Sequence, residues 1–204
     1  MTDWESRYQI GDTPWDKGRA APPLLEWLLD DGAALLEGKA VLVPGCGTGH
    51  DVRALAPHAK QVLGVDLAAS AISAAREFAA AGNEHYALAD FLDESWQAGQ
   101  RFDLLFEHTC FCAIDPTQRM AYARAAAALI VPSGCLAGIF FLNPYDPGDD
   151  HVGPPFGSTL EEIEDTFRTG FELMRGWMPS QTYAGREGRE WFGIFRRRLQ
   201  AEVA

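Results

Sequence analysis

Cysteine is scarce, and its spacing suits no metal. The four residues at positions 46, 110, 112 and 135 follow no zinc pattern. A Cys-x-Cys pair is too tight for an ordinary disulfide and has no second pair to complete a site. A reduced, cytoplasmic setting is therefore expected, with no bound metal. Basic charge is also short, with 17 Lys+Arg against 29 Asp+Glu and a net charge of −12. That balance repels nucleic-acid phosphates and anionic membrane surfaces. Long apolar runs are missing too. The longest, Cys135–Leu142, is far below the roughly 20 residues a membrane helix needs. The polar, aromatic start offers no apolar core for a Sec-type signal. There is no internal repeat and no low-complexity linker.

What remains is an ordinary globular composition, 47% hydrophobic and 23% charged over 204 residues. A chain of this length buries most of its apolar surface within one domain. Short apolar runs alternate with helical stretches. Strands are expected at 39–44, 61–66, 85–89, 102–106 and 134–142, and their unbroken apolar character predicts cover on both faces. Helices are expected at 22–31, 68–81 and 116–131, and from a Ser158-Thr-Leu-Glu161 capping box to about Arg168. Two strand-like runs, 171–178 and 190–199, lie close together near the end. The pattern predicts an α/β fold: a doubly wound, mostly parallel, seven-stranded Rossmann-like sheet with an antiparallel hairpin at one edge. The whole chain, 1–204, reads as a single domain. Within it, 1–38 form a lid and helix ahead of an α/β core at 39–204.

The strongest local signal is Val41-Leu-Val-Pro-Gly45-Cys-Gly47-Thr-Gly49-His-Asp51, which joins a strand to a helix. Such a turn brings a ligand against backbone at a helix N-terminus. Asp66 ends the second strand, where a carboxylate can accept from both ribose hydroxyls. Asp90 and Phe91 follow the third strand, where an acid can meet an adenine amino group while an aromatic covers the ring. Together they point to an adenosine-containing cofactor. A dinucleotide fingerprint needs a small sixth residue, and His50 stands there instead, which favours S-adenosylmethionine over NAD.

These motifs, with Trp4-x3-Tyr8-x6-Trp15, Thr13-Pro-Trp-Asp16, the block Phe102 to Ile114, His151-Val-Gly-Pro-Pro155 and Gly188-Arg-Glu190, resemble the class I methyltransferases of the thiopurine methyltransferase superfamily. Within it, the resemblance is greatest to the thiol, thiocyanate and halide methyltransferases. It implies methyl transfer from S-adenosylmethionine, leaving S-adenosylhomocysteine, to a small soft nucleophile: a thiol, thiopurine, thiocyanate or halide. It also implies that Trp4, Tyr8 and Trp15 fold over the cofactor, with Gly45 at its methionine end, Asp66 on the ribose and Asp90 with Phe91 at the adenine, and Gly47 is a further cofactor-binding candidate. His108 stands where relatives carry Tyr or Arg, so it is a candidate cofactor contact as well as a candidate base. An aromatic face attracts a sulfonium as it does other cations. Acceptor-side candidates are Glu107 and His108 for proton transfer, and Arg186 and Arg189 for binding. Asp149-Asp-His151 reads as a solvated lid. A monomer acting on a small molecule is expected. The rival readings are an O- or N-methyltransferase and a non-catalytic S-adenosylmethionine-binding protein.

Overall fold

The computed structural model describes residues 2–146, 148 and 153–199. Five parallel strands carry the first two thirds of the sheet: β1 (Ala40–Pro44), β2 (Gln61–Asp66), β3 (Glu84–Leu88), β4 (Phe102–His108) and β5 (Ile130–Phe141). Then β6 (Phe171–Trp177) and β7 (Glu190–Arg197) complete a seven-stranded sheet of order β3-β2-β1-β4-β5-β7-β6. β7 runs antiparallel to both β5 and β6, so the expected hairpin is present and folds back into the sheet.

Strand burial follows the sequence pattern. Leu42, Val65 and Leu105 enter one apolar core, while Val41, Val43, Val62, Leu104 and Phe106 enter another. Neighbours alternate between the two, which places a core on each face of the sheet. The helices pack on these faces: α2 (Pro22–Trp27), which continues through a π turn (Leu28–Gly32) into α3 (Ala33–Leu36), then α4 (His50–Leu55), α5 (Ala69–Glu77), α6 (Glu94–Gln97), α7 (Arg119–Leu129) and α8 (Leu160–Phe167). The π turn has a steric partner, since a Cβ at Gly32 would lie 2.5 Å from the Trp27 indole.

Several boundaries differ from the sequence reading. Thr159, not Ser158, caps α8, in a reciprocal capping box with Glu162. Ser158 is buried and its N–H is committed to the Leu142 carbonyl, so the cap moves one residue on. Helix α5 stops at Glu77 rather than Ala81. Phe78 turns extended there, with Arg53 over its ring at 4.0 Å. Helix α7 ends two residues early because Ile130 pairs with Phe102 and opens β5. Trp4–Gln9, which has no clear periodicity, forms α1, capped by the Asp3 carboxylate on the Ser6 N–H.

Candidate active site

The strand order reverses between β1 and β4, and ligands of open α/β sheets bind at the carboxyl ends of strands near such a switch. A cavity of about 670 Å³ opens there. Gly45, Gly47, Asp66, Asp90, Phe91 and His108 all line it, and so do Trp4, Tyr8 and Trp15 from the N-terminal segment.

The glycine turn fits its position by necessity. Gly45 sits at φ +59°, and a Cβ there would lie 2.9 Å from that of Cys110. Gly47 sits at φ +53°, and its Cβ would lie 2.9 Å from the Tyr8 hydroxyl. The Asp66 carboxylate accepts from the Gly47 N–H and the Ala68 N–H, each at 2.9 Å, and so braces the turn. Burial pushes its pKa up against those hydrogen bonds. A carboxylate offers about four acceptor positions, which leaves capacity for two ribose hydroxyls. Asp90 accepts the Leu92 N–H at 2.8 Å, and Phe91 packs against Tyr122 with ring centroids 4.8 Å apart.

The N-terminal segment is tied to this rim by polar contacts. Glu5 accepts from the Ser70 N–H at 3.0 Å and the Ser70 hydroxyl at 2.6 Å. Asp16 accepts from the Thr48 hydroxyl at 2.7 Å and lies 3.2 Å from His50 Nε2. The Trp15 indole N–H donates to the Tyr8 hydroxyl, and Trp4 meets Trp15 edge to face at 5.2 Å. The Arg7 guanidinium lies 4.4 Å from the Trp15 ring centre, so one cation already occupies an aromatic face expected for the sulfonium.

On the acceptor side the candidates separate. His108 lines the cavity, with Nδ1 2.6 Å from Asp51 Oδ2. Its Nε2 is buried and has no hydrogen-bond partner among the described residues. Its ring stacks on Tyr183 at 6.3 Å. Glu107 is fully buried and is not among the cavity-lining residues. Its carboxyl accepts from the Phe111 N–H at 2.7 Å and from the Tyr122 hydroxyl. Burial pushes its pKa up to about 7. This placement makes it a support beneath the site, because neither oxygen faces the ligand space. Arg186 lines the cavity over Phe141 and Tyr183, paired with the buried Glu190 at 2.9 Å. Arg189 is not in the lining and pairs with Asp146 outside it. Cys110 and Cys112 are lining residues whose thiols are pushed up by burial, Cys112 to about 12. Asp149-Asp-His151 lies outside the described residues.

Asp51, Tyr183, Arg7 and Arg19 are lining residues that the motifs did not single out. Asp51 stands inside the quoted glycine-turn motif, where an acid just past the turn was the available signal. Its partner is 57 residues away.

A model of the thiopurine S-methyltransferase (TPMT) family matches residues 1–190. Thiocyanate methyltransferase 1 of Brassica oleracea is 35% identical over 95% of this chain and 84% of that protein. A probable thiol methyltransferase 2 of Arabidopsis thaliana is 36% identical over 84% of this chain and 74% of its own length. Among solved structures, the N-methyltransferase NodS of Bradyrhizobium japonicum WM9, in complex with S-adenosylhomocysteine, superposes with a TM-score of 0.68. It is 19% identical and covers 94% of this chain and 95% of its own, a likeness of fold. The chain belongs to the thiopurine S-methyltransferase family.

Proposed function

We propose that the chain methylates the sulfur of a small neutral thiol with an apolar body. At the coarser level it is an S-adenosylmethionine-dependent methyltransferase of small soft nucleophiles. The cofactor supplies an electrophilic methyl on a cationic sulfonium. The residues present fit it, since Asp66 keeps free acceptor positions beside a glycine turn that tolerates no Cβ. Asp66 would hold the ribose, Asp90 and Phe91 the adenine, and Gly45 and Gly47 the methionine end. Trp4, Tyr8 and Trp15 would exclude water above it. A dry site favours the reaction once the sulfur has lost its proton, because water stabilises the separated thiolate and sulfonium better than a transition state in which their charges cancel.

The observation that carries the thiol reading is the chemistry of the acceptor wall. Phe141, Phe156, Tyr183 and Ile114 give it more apolar surface than a monatomic ion can use. The His108 Nε2 is a buried nitrogen without a partner among the described residues, suited to the proton that a neutral thiol must lose. A specific feature favours an anion instead: Arg19 and Arg186 both lie over the Tyr183 ring, at 5.6 and 5.3 Å. The Arg186 charge is offset by Glu190, however, which weakens it as an anion clamp. The four free cysteines fit a reducing, cytoplasmic setting. No helix among the described residues is long and apolar enough to cross a membrane.

The test is a comparison of kcat/KM for alkyl and aryl thiols, thiocyanate and iodide with the purified protein. Thiols bearing an apolar group are expected to lead. A preference for thiocyanate or iodide over every thiol overturns the reading.

A further inference from the structure

Asp51 stands in the first turn of helix α4 and touches two other parts of the chain at once. Its Oδ1 accepts the Ala21 N–H at 2.8 Å, just before α2. Its Oδ2 lies 2.6 Å from His108 Nδ1, at the end of β4. Ala21 is fully buried and the Asp51 and His108 side chains are only 15% and 9% exposed, so the arrangement is locked by packing. Burial opposes charge on Asp51, but His108, the Ala21 N–H and His50 outweigh it and hold the carboxyl below its usual range. An ionised carboxylate can only accept, so the Nδ1 facing it carries the proton. In a neutral imidazole the other nitrogen then presents a lone pair.

We propose that Asp51 is a positioning residue that fixes the His108 tautomer, making Nε2 the proton acceptor for a neutral thiol. The inference rests on the thiol reading above. The proton passes from the thiol sulfur to Nε2, and the sulfur's electron pair forms the new bond to the methyl carbon. The pair of the broken carbon–sulfur bond stays on the departing thioether sulfur. His108, now an imidazolium, is stabilised by Asp51 and returns its proton to solvent. Around the His108 ring, Asp51 comes from α4, Glu107 is buried on the same strand as His108, and Tyr183 stacks from the β6–β7 loop with Arg19 and Arg186 beyond it. His50, on α4 with Asp51, acts on that residue's carboxylate. An anion such as thiocyanate carries no proton to remove, so Asp51 should matter for one acceptor class and not the other.

Asp51→Asn is the informative change. Its amide oxygen still accepts from Ala21, while its NH₂ donates to Nδ1 and forces the proton onto Nε2. Thiol kcat at pH 7 should fall by up to about 30-fold, because a thiol of pKa about 8.5 is only about 3% thiolate there and the variant must rely on that fraction, with KM little changed. Thiocyanate turnover should be little affected. The thiol deficit should close as pH rises towards the thiol's own pKa of about 8.5. Independently of turnover, ¹⁵N chemical shifts of His108 should report Nδ1–H in the neutral wild type and Nε2–H in the variant. Equal losses for thiol and thiocyanate, an unchanged thiol rate, or a wild-type Nε2–H tautomer would each overturn the proposal. His108→Asn separates the two levels. If it keeps thiol turnover, the base reading itself fails; if it loses turnover while Asp51→Asn does not, only the role of Asp51 fails.

Discussion

Glu107 illustrates how a residue's chemistry depends on where the fold leaves it. At the end of β4, beside His108, it reads from sequence as an acid–base candidate. In the structure both oxygens are engaged, by the Phe111 N–H and the Tyr122 hydroxyl, and the side chain is buried. Its folded pKa of about 7 lies above its ordinary value of 4.5. Below pH 4.5 the carboxyl is neutral in both folded and unfolded chains. As pH rises from there to about 7, only the unfolded chain loses the proton, so this group's contribution to stability is lost across that window. The full loss is on the order of 3 kcal/mol, at about 1.4 kcal/mol per unit. Glu107→Gln keeps an acceptor for Phe111 and removes the titration. Urea midpoints at pH 5 and pH 8 should therefore differ less in the variant than in the wild type, and equal differences would show that Glu107 does not set this dependence. Asp66, Asp90 and Phe91, expected from sequence at the cofactor, do line the cavity, because Asp66 ends β2 and Asp90 and Phe91 follow β3 closely, at fixed places in the fold. Asp51 was not, because its role depends on a contact made 57 residues later.

At the scale of elements, the strands could be read from their apolar runs, since burial on both faces leaves a continuous signal. Helix ends were less readable: α2 begins at Pro22 as expected, while the ends of α5 and α7 and the cap of α8 differ. The cap of α8 slid from Ser158 to Thr159 because a tertiary hydrogen bond to Leu142 claimed the earlier residue. Helix α1 escaped notice because none of its residues is buried, so it carries no amphipathic stripe. The same fact makes the N-terminal segment separable. Trp4, Tyr8 and Trp15 belong to neither apolar core, and the segment is held by Glu5 on Ser70 and Asp16 on Thr48. The next stretch is different: Ala21, Leu24 and Trp27 are core residues. Deleting residues 1–18 should thus leave a protein with a near-normal melting temperature and sharply weaker S-adenosylmethionine binding by calorimetry. Cofactor should also slow proteolysis of the segment in the full chain, as for a lid that closes on its ligand. A truncated protein that aggregates would instead make the aromatics structural. Unchanged affinity would remove them from the site.

Across the whole molecule, the site is assembled from the carboxyl ends of the five parallel strands, the N-terminal segment, residues 153–156 and the β6–β7 loop. The half expected to hold the cofactor lies at strand ends that the fold brings together, so its lining was readable from short motifs. The acceptor half draws on Tyr183, Arg186, Phe141 and Phe156, whose proximity depends on how β7 inserts beside β5. No spacing in the sequence reveals that insertion. The central claim is methyl transfer to sulfur within this cavity. It is tested most directly with S-adenosylmethionine carrying a ¹³C-labelled methyl and 4-aminothiophenol, an acceptor that offers both a thiol and an amine on one apolar ring. Mass spectrometry and NMR of the product should place the label on sulfur, with one S-adenosylhomocysteine formed per product. Label on nitrogen, or cofactor bound with no product formed, would contradict the account.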